Sequence, residues 1–382
     1  MDAFSARYVF QTYWRDLTSN YDVIGPYAFF SSTCPTSVIS HFISGTYYAM
    51  HQCGFQIHFV IADGVKTNLS LFKDLGKHDR TLKSEDDEPY FINPHTDRKC
   101  YVGIDPTHLY KNVRNALNKS CTKKDGSQGT RNLKIDGDKA TWDHIYHIFK
   151  IDSANPNKAR KTLLSSDAVM LDGFSKMRVP LVNRVVNEKT IAAMKEYDEK
   201  GTKGTVALLD IMNKMFRKAL LKPKTYLHGP DAHVVHSLNI AFDSIQKWHD
   251  DNMKEVQTEQ KKDAKTEAEK KLKKKLIAAK KKEFFADITW TEIRYTVKAF
   301  QGYTNDYFKM YPGYKLKWTR INQSVLESLF GAIGNNCSGG SRDFTAQGYT
   351  TGLAAVRIKR GVRQLKKGSN VEGDEDAVTT FI

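Results

Sequence analysis

Residues 99–117, KCYVGIDPTHLYKNVRNAL, carry the reading on which the fold turns. KCYVGI (99–104) is a short apolar run of the kind that forms a strand buried on both faces. Asp105 ends it, can cap the helix that follows, and sets Pro106 at that helix's first position. His108, Lys111, Asn112 and Asn115 then share roughly a 100° arc of helix. A second passage of the same design lies upstream. QIHFVIAD (56–63) is near-continuously apolar and closes on Asp63-Gly64. The short helix LSLFKDL follows it, which Asn68 can cap and Gly76 can stop. Two strands thus each end in a carboxylate and lead into a helix, and in open α/β sheets ligands bind at such strand ends.

Working outward, RYVFQTYW (7–14) and VIGPYAFF (23–30) are β-branched and aromatic and read as two strands joined by a turn. A helix follows, with Pro35 at its start, Val38, Ile39, Phe42 and Ile43 on one face, and Gly54 at its end. Residues 77–97 read as a polar loop. The glycine-rich connection CTKKDGSQGTRN opens a mostly helical region over 140–250 and again over 287–310. WTRINQSVLESLFGAIG (318–334) is an amphipathic helix in which Glu327 points about 130° away from the apolar side. The end of the chain, from 361, is rich in Gly, Lys and acids and reads as a disordered tail.

The chain has 382 residues, and its 59 Lys and Arg against 43 Asp and Glu give a net charge of +16. Hydrophobic residues make up 40 %, which excludes wholesale disorder. No apolar run approaches the ~18 residues of a membrane span, and the first residues lack the pattern of a secretory signal, so an intracellular protein is expected. Five scattered cysteines without a C-x-x-C pair indicate neither a zinc finger nor a disulfide framework. Residues 254–283 hold 12 Lys and 6 acids and read as a solvated lysine-rich helix, or as a phosphate-binding arm.

Asp63, Asp105 and Glu327 are the carboxylates best placed on rigid elements for divalent-metal chemistry, because Mg²⁺ takes oxygen ligands. Two such ions could activate a nucleophile in phosphoryl transfer. An Asp that ends a strand also reads simply as a helix cap. His144-x-x-His147 and His233-x-x-His236 lack the third ligand of a zinc site. No G-x-x-x-x-G-K-[ST] loop is present, which excludes a conventional P-loop.

The words ADGVKTN (62–68), DPTHLYKNVRNAL (105–117) and INQSVLESLF (321–330), in that order, resemble the P-element family of DNA transposases, which includes the THAP-type transposase-like proteins. The middle word is the most specific. The resemblance implies an α/β fold: an RNase H-like mixed sheet interrupted by a large, mostly α-helical insertion. On that plan 1–118 and 301–360 form the catalytic domain, and 119–300 form the insertion, of a type that binds GTP in the P-element enzyme. Asp63 and Glu327 match two of the three catalytic acids and would hold Mg²⁺ or Mn²⁺. Asp105 and His108 match a motif that braces the fold, and Lys111 and Arg114 become candidates for contacts to the DNA backbone.

The family's first catalytic Asp sits on a strand upstream of those that 7–14 and 23–30 resemble, so the sheet is expected to lack its first, central strand. Open edges left in such a sheet favour self-association into a homo-oligomer. Ser324 and Gly334 stand where the family often has Asp and Arg. The expectation is a transposase fragment or domesticated remnant, working on DNA in the nucleus and inactive in cleavage and strand transfer. A non-catalytic DNA-binding or regulatory protein derived from a transposase is the alternative.

Overall fold

The computed structural model describes residues 8–367 apart from 20, 33–34, 65, 76–88, 123–125, 128, 155–159, 198–200, 222–225 and 338–344. In chain order the first elements are β1 (Tyr8–Arg15), β2 (Asp22–Phe30), α1 (Thr36–Gln52), β3 (Phe59–Ala62), α2 (Lys66–Leu75), β4 (Tyr90–Asn93) and β5 (Arg98–Ile104). Helix α3 (Pro106–Asn118) and the small ribbon β6 (Lys134–Ile135) and β7 (Asp138–Lys139) follow. Next come α4 (Trp142–Ser153), α5 (Ser166–Val169), α6 (Val179–Val185), α7 (Glu188–Glu196) and α8 (Lys203–Met212), the last prolonged by a π-helical stretch, Asn213–Leu220. The chain closes with α9 (His233–Lys261), α10 (Glu267–Lys281), α11 (Asp287–Met310), α12 (Ser324–Cys337) and α13 (Ala346–Lys367).

These elements divide into two compact units, one of residues 1–100 with 320–382 and one of 101–319. The first unit holds the strands β1 to β4 and the second is mostly helical. Residues 101–118 and 301–319 belong with the helical unit, because α3 packs on α6 and α11 there.

In the first unit β1 and β2 pair antiparallel, from Tyr8 opposite Phe30 to Arg15 opposite Asp22, with a bulge between Gln11 and Tyr13. Strand alternation sends Phe10 and Trp14 to one face, where they meet Phe42 and Tyr47 of α1 at 5.4 and 6.5 Å. Val9, Tyr13, Ile24, Tyr27 and Phe29 take the other face and pack on Leu329, Ile333, Tyr349, Leu353 and Val356 of α12 and α13. The ribbon is therefore covered on both sides. Arg320, only 6 % exposed, ties its turn: the guanidinium donates to the carbonyls of Asp16 and Tyr21 and to the carboxylate of Asp22.

The described strands lie in separate sheets: β1 and β2 form one, and β3, β5 and β4 form a three-stranded sheet in that order. Central β5 is buried from Cys100 to Ile104, as its apolar run requires. Strand β3 is an edge, so Phe59, Val60 and Ile61 are only half-buried and not enclosed on both faces as their sequence suggests. Strand β4 falls inside the stretch read as a loop and turns through residues 94–97 into β5.

Three further expectations are corrected. The amphipathic helix begins at Ser324, not 318, because the Asn322 carboxamide oxygen accepts from the Ser324 amide at 3.1 Å and sets the first turn. The lysine-rich segment is not one helix: α9 ends at Lys261, and Thr266 starts α10 with a reciprocal capping box to Glu269. Residues 361–367 continue α13; the rest of the expected tail, 368–382, lies outside the described residues. Gly352 lets α13 approach α12, since a Cβ there would collide with Cys337 Sγ and crowd Ile333.

In the second unit the core lies among the helices. Tyr101 donates to Asp306 at 2.6 Å across a gap that only Gly302 permits, and Thr296 Oγ1 bonds both the amide and the carbonyl of Ile104 at 3.2 Å. Trp318 Nε1 is satisfied by Thr304 Oγ1 at 2.9 Å.

Candidate functional site

Asp63 stands at the carboxyl end of β3, half-buried. Its partner is Asn68, whose Nδ2 donates to Asp63 Oδ1 at 2.6 Å and to the Asp63 carbonyl at 3.3 Å. The sequence suggests Asn68 as the cap of the next helix; α2 instead starts two residues earlier, at Lys66, so Asn68 sits in its first turn with its amide turned back onto the carboxylate. The Asn68 amide, a neutral donor, fixes the orientation of this carboxylate. Glu327 lies in the first turn of α12 and is exposed, in agreement with its angle from the apolar side. Both acids belong to the first unit.

Among the described residues no three His, Cys, Asp or Glu side chains come together in a group able to hold a metal ion. A two-metal site needs more oxygen donors than two acids supply.

Asp105 is 1 % exposed and caps α3: Oδ2 accepts from the His108 amide at 2.9 Å and from the Thr107 hydroxyl. Pro106 occupies the first turn, where its missing N–H costs nothing. One turn on, Asn112 donates to buried Glu292 of α11 at 3.2 Å. The D-P-x-H motif thus fastens the end of β5 to the start of α3.

Lys111 and Arg114 differ from expectation. They are 5 % and 0 % exposed, whereas a contact to DNA phosphates needs a surface cation. Arg114 Nη2 donates to the carbonyl of Lys176 at 2.8 Å, and Nε to Asn115 Oδ1 at 2.8 Å. Burial lowers its pKa to about 10, with the Tyr110 hydroxyl acting the other way. Tyr110 and Arg114 Nη1 are buried polar groups with no hydrogen-bond partner among the described residues. The physical reason is packing: α3 has helices on several sides, and Tyr110 stacks on Phe216 of the π-helical stretch at 4.7 Å.

Sequence reading missed Arg320 and His58. Arg320 lies just ahead of the third motif segment, in WTRINQS, but a lone arginine carries no sign of burial. His58, just before β3, has its pKa lowered to about 4, chiefly by burial and then by the charge of Arg98.

No protein-family model matches the chain. No curated protein matches it either. Among solved structures, the Drosophila P element transposase strand transfer complex contains a chain similar to this one, with a TM-score of 0.63 and 17% identity over 91% of this chain and 69% of that one. At that identity the likeness is one of fold, and it extends over both units.

Proposed function

We propose that this chain is a P-element-like transposase derivative that binds DNA in the nucleus and does not itself cleave or join strands. The observation that carries the reading is the fold shared with the P element transposase over 91% of the chain. The three motif segments agree with it in kind and order. The net charge of +16 suits a polyanionic partner. In the parent reaction Mg²⁺ would supply Lewis-acid chemistry for hydrolysis of DNA ends and for strand transfer, with Asp63 and Glu327 as the family's matching acids. The inactive reading rests on the sequence, where Asp63 and Glu327 match two of the family's three catalytic acids.

Two measurements with the purified chain test this. Binding to duplex DNA should weaken steeply as salt rises; affinity that does not change with salt would overturn the DNA reading. Incubation with Mg²⁺ and transposon-end duplexes should leave the strands intact. Metal-dependent nicking that Asp63→Ala abolishes would overturn the inactive reading and restore the enzyme.

A further inference from the structure

Helix α10 offers a surface that the fold does not use. None of its residues is buried. The face turned to α9 is occupied: Lys280 pairs with Glu255 at 2.6 Å, and Lys273 donates to the Lys262 carbonyl at 2.7 Å. Lys271, Lys274, Lys275, Lys281 and Lys282 are exposed, and among the described residues none of these side chains has an ion pair or hydrogen bond. At ~100° per residue these five fall within about 120° of arc. They form one stripe, roughly 16 Å long at ~1.5 Å rise per residue.

We infer that this lysine stripe is a track for the phosphate backbone of duplex DNA. The inference rests on the DNA-binding reading above and names the surface that performs it. Charge complementarity selects the occupant: about 16 Å of B-DNA axis presents roughly ten phosphates, enough for all five ammonium groups. A second copy of α10 would bring the same lysines against each other, which repels. The neighbouring apolar stripe, Ala268, Leu272, Leu276 and Ala279, is narrow and has no aromatic residue, which disfavours insertion into a lipid surface. The helix needs no partner to form. Its capping box and its lysines in the last turn, beside the negative end of the helix dipole, stabilise it in place.

The test measures affinity for a duplex of mixed sequence by fluorescence anisotropy across a salt series, using the full chain. The variant Lys271→Gln/Lys274→Gln/Lys275→Gln removes three charges at exposed positions with nearly unchanged helix propensity. Its plot of log affinity against log salt should be shallower than that of the unaltered chain by about 2.7, or ~0.9 for each phosphate no longer neutralised. The pair Leu272→Gln/Leu276→Gln should leave the slope as it was. An unaltered chain that binds with a steep slope, together with a triple variant of equal slope, overturns the α10 track alone. An unaltered chain with no salt-dependent binding overturns the DNA reading and the track with it. Loss of binding in the leucine pair but not in the lysine triple would place the DNA contact on the apolar stripe and overturn the track.

Discussion

Tyr349 donates its phenol hydrogen to Gln11 Oε1 at 2.7 Å, across 338 positions of sequence. The bond joins the middle of β1 to α13 within a largely apolar layer. Gln11 is 7 % exposed and spends its amide hydrogens on the carbonyls of Thr12 and Gly25, at 2.6 and 2.8 Å. Tyr349→Phe therefore leaves a buried acceptor unpaired, which costs about 1–3 kcal/mol. The urea midpoint should fall with the slope of the transition unchanged. With Gln11→Leu added, the two substitutions together should cost less than the sum of their separate effects, because the bond they share is lost only once. Independent, additive effects of the two substitutions would show that the bond does not couple the layers.

Two helical glycines should respond in opposite directions. A Cβ on Gly302 would lie 2.6 Å from the Tyr101 ring, which is 1 % exposed and cannot swing aside. Gly302→Ala should cost about 1–3 kcal/mol by overpacking. Gly331, inside α12, has nothing within 4 Å of such an atom. There Gly331→Ala should gain up to about 1 kcal/mol from helix propensity. Thermal unfolding of the two variants checks the pair, and equal shifts in one direction would contradict it.

His58 gives the first unit a pH dependence. Its pKa in the folded chain is about 4, against 6.5 for an unperturbed histidine. Between those values the unfolded chain takes up a proton that the folded chain refuses. The contribution is thus fully present above pH 6.5 and is lost as pH falls towards 4, by up to about 1.4 kcal/mol per pH unit. His58→Gln, which cannot titrate, should flatten the decline in urea midpoint between pH 7 and 4.5. Parallel declines in the two proteins would place the proton uptake elsewhere.

How far the sequence was legible depended on what each residue's neighbours in the chain could reveal. Strands β1, β2 and β5 stood out because β-branched and aromatic runs between turn residues have few other readings. The Asp105-Pro106 start of α3 was legible because a cap is a local matter. Strand β4 was hidden by its length, four residues after a polar stretch. Helix α13 was hidden by Gly348, Gly352 and two threonines, which weaken the helical signal, although Gly352 is there to let Cys337 approach. The half-exposure of β3 depends on which strands flank it, and no periodicity encodes that. Cations were harder still. Lys111 and Arg114 read as candidates for the surface and Arg320 carries no signal at all, and only tertiary packing shows all three in the interior.

Arg114 offers the sharpest check on that correction, because its two readings predict different observables. In the structure the guanidinium serves the chain's own carbonyls: the Lys176 oxygen at 2.8 Å and, more distantly, the Ser175 oxygen at 3.4 Å. Hydrogen bonds from a charged donor are worth about 1.5–3 kcal/mol each, so Arg114→Met should lower stability by a few kcal/mol. Arg114→Lys should be no better, since an ammonium keeps the buried charge but lacks the planar fork that reaches two directions at once. DNA binding separates the roles. Measured below the unfolding temperature, Arg114→Met should retain the full salt slope, whereas removing a cation that neutralises a phosphate would make it shallower by ~0.9. A stable Arg114→Met chain with a reduced slope would return this arginine to the DNA surface.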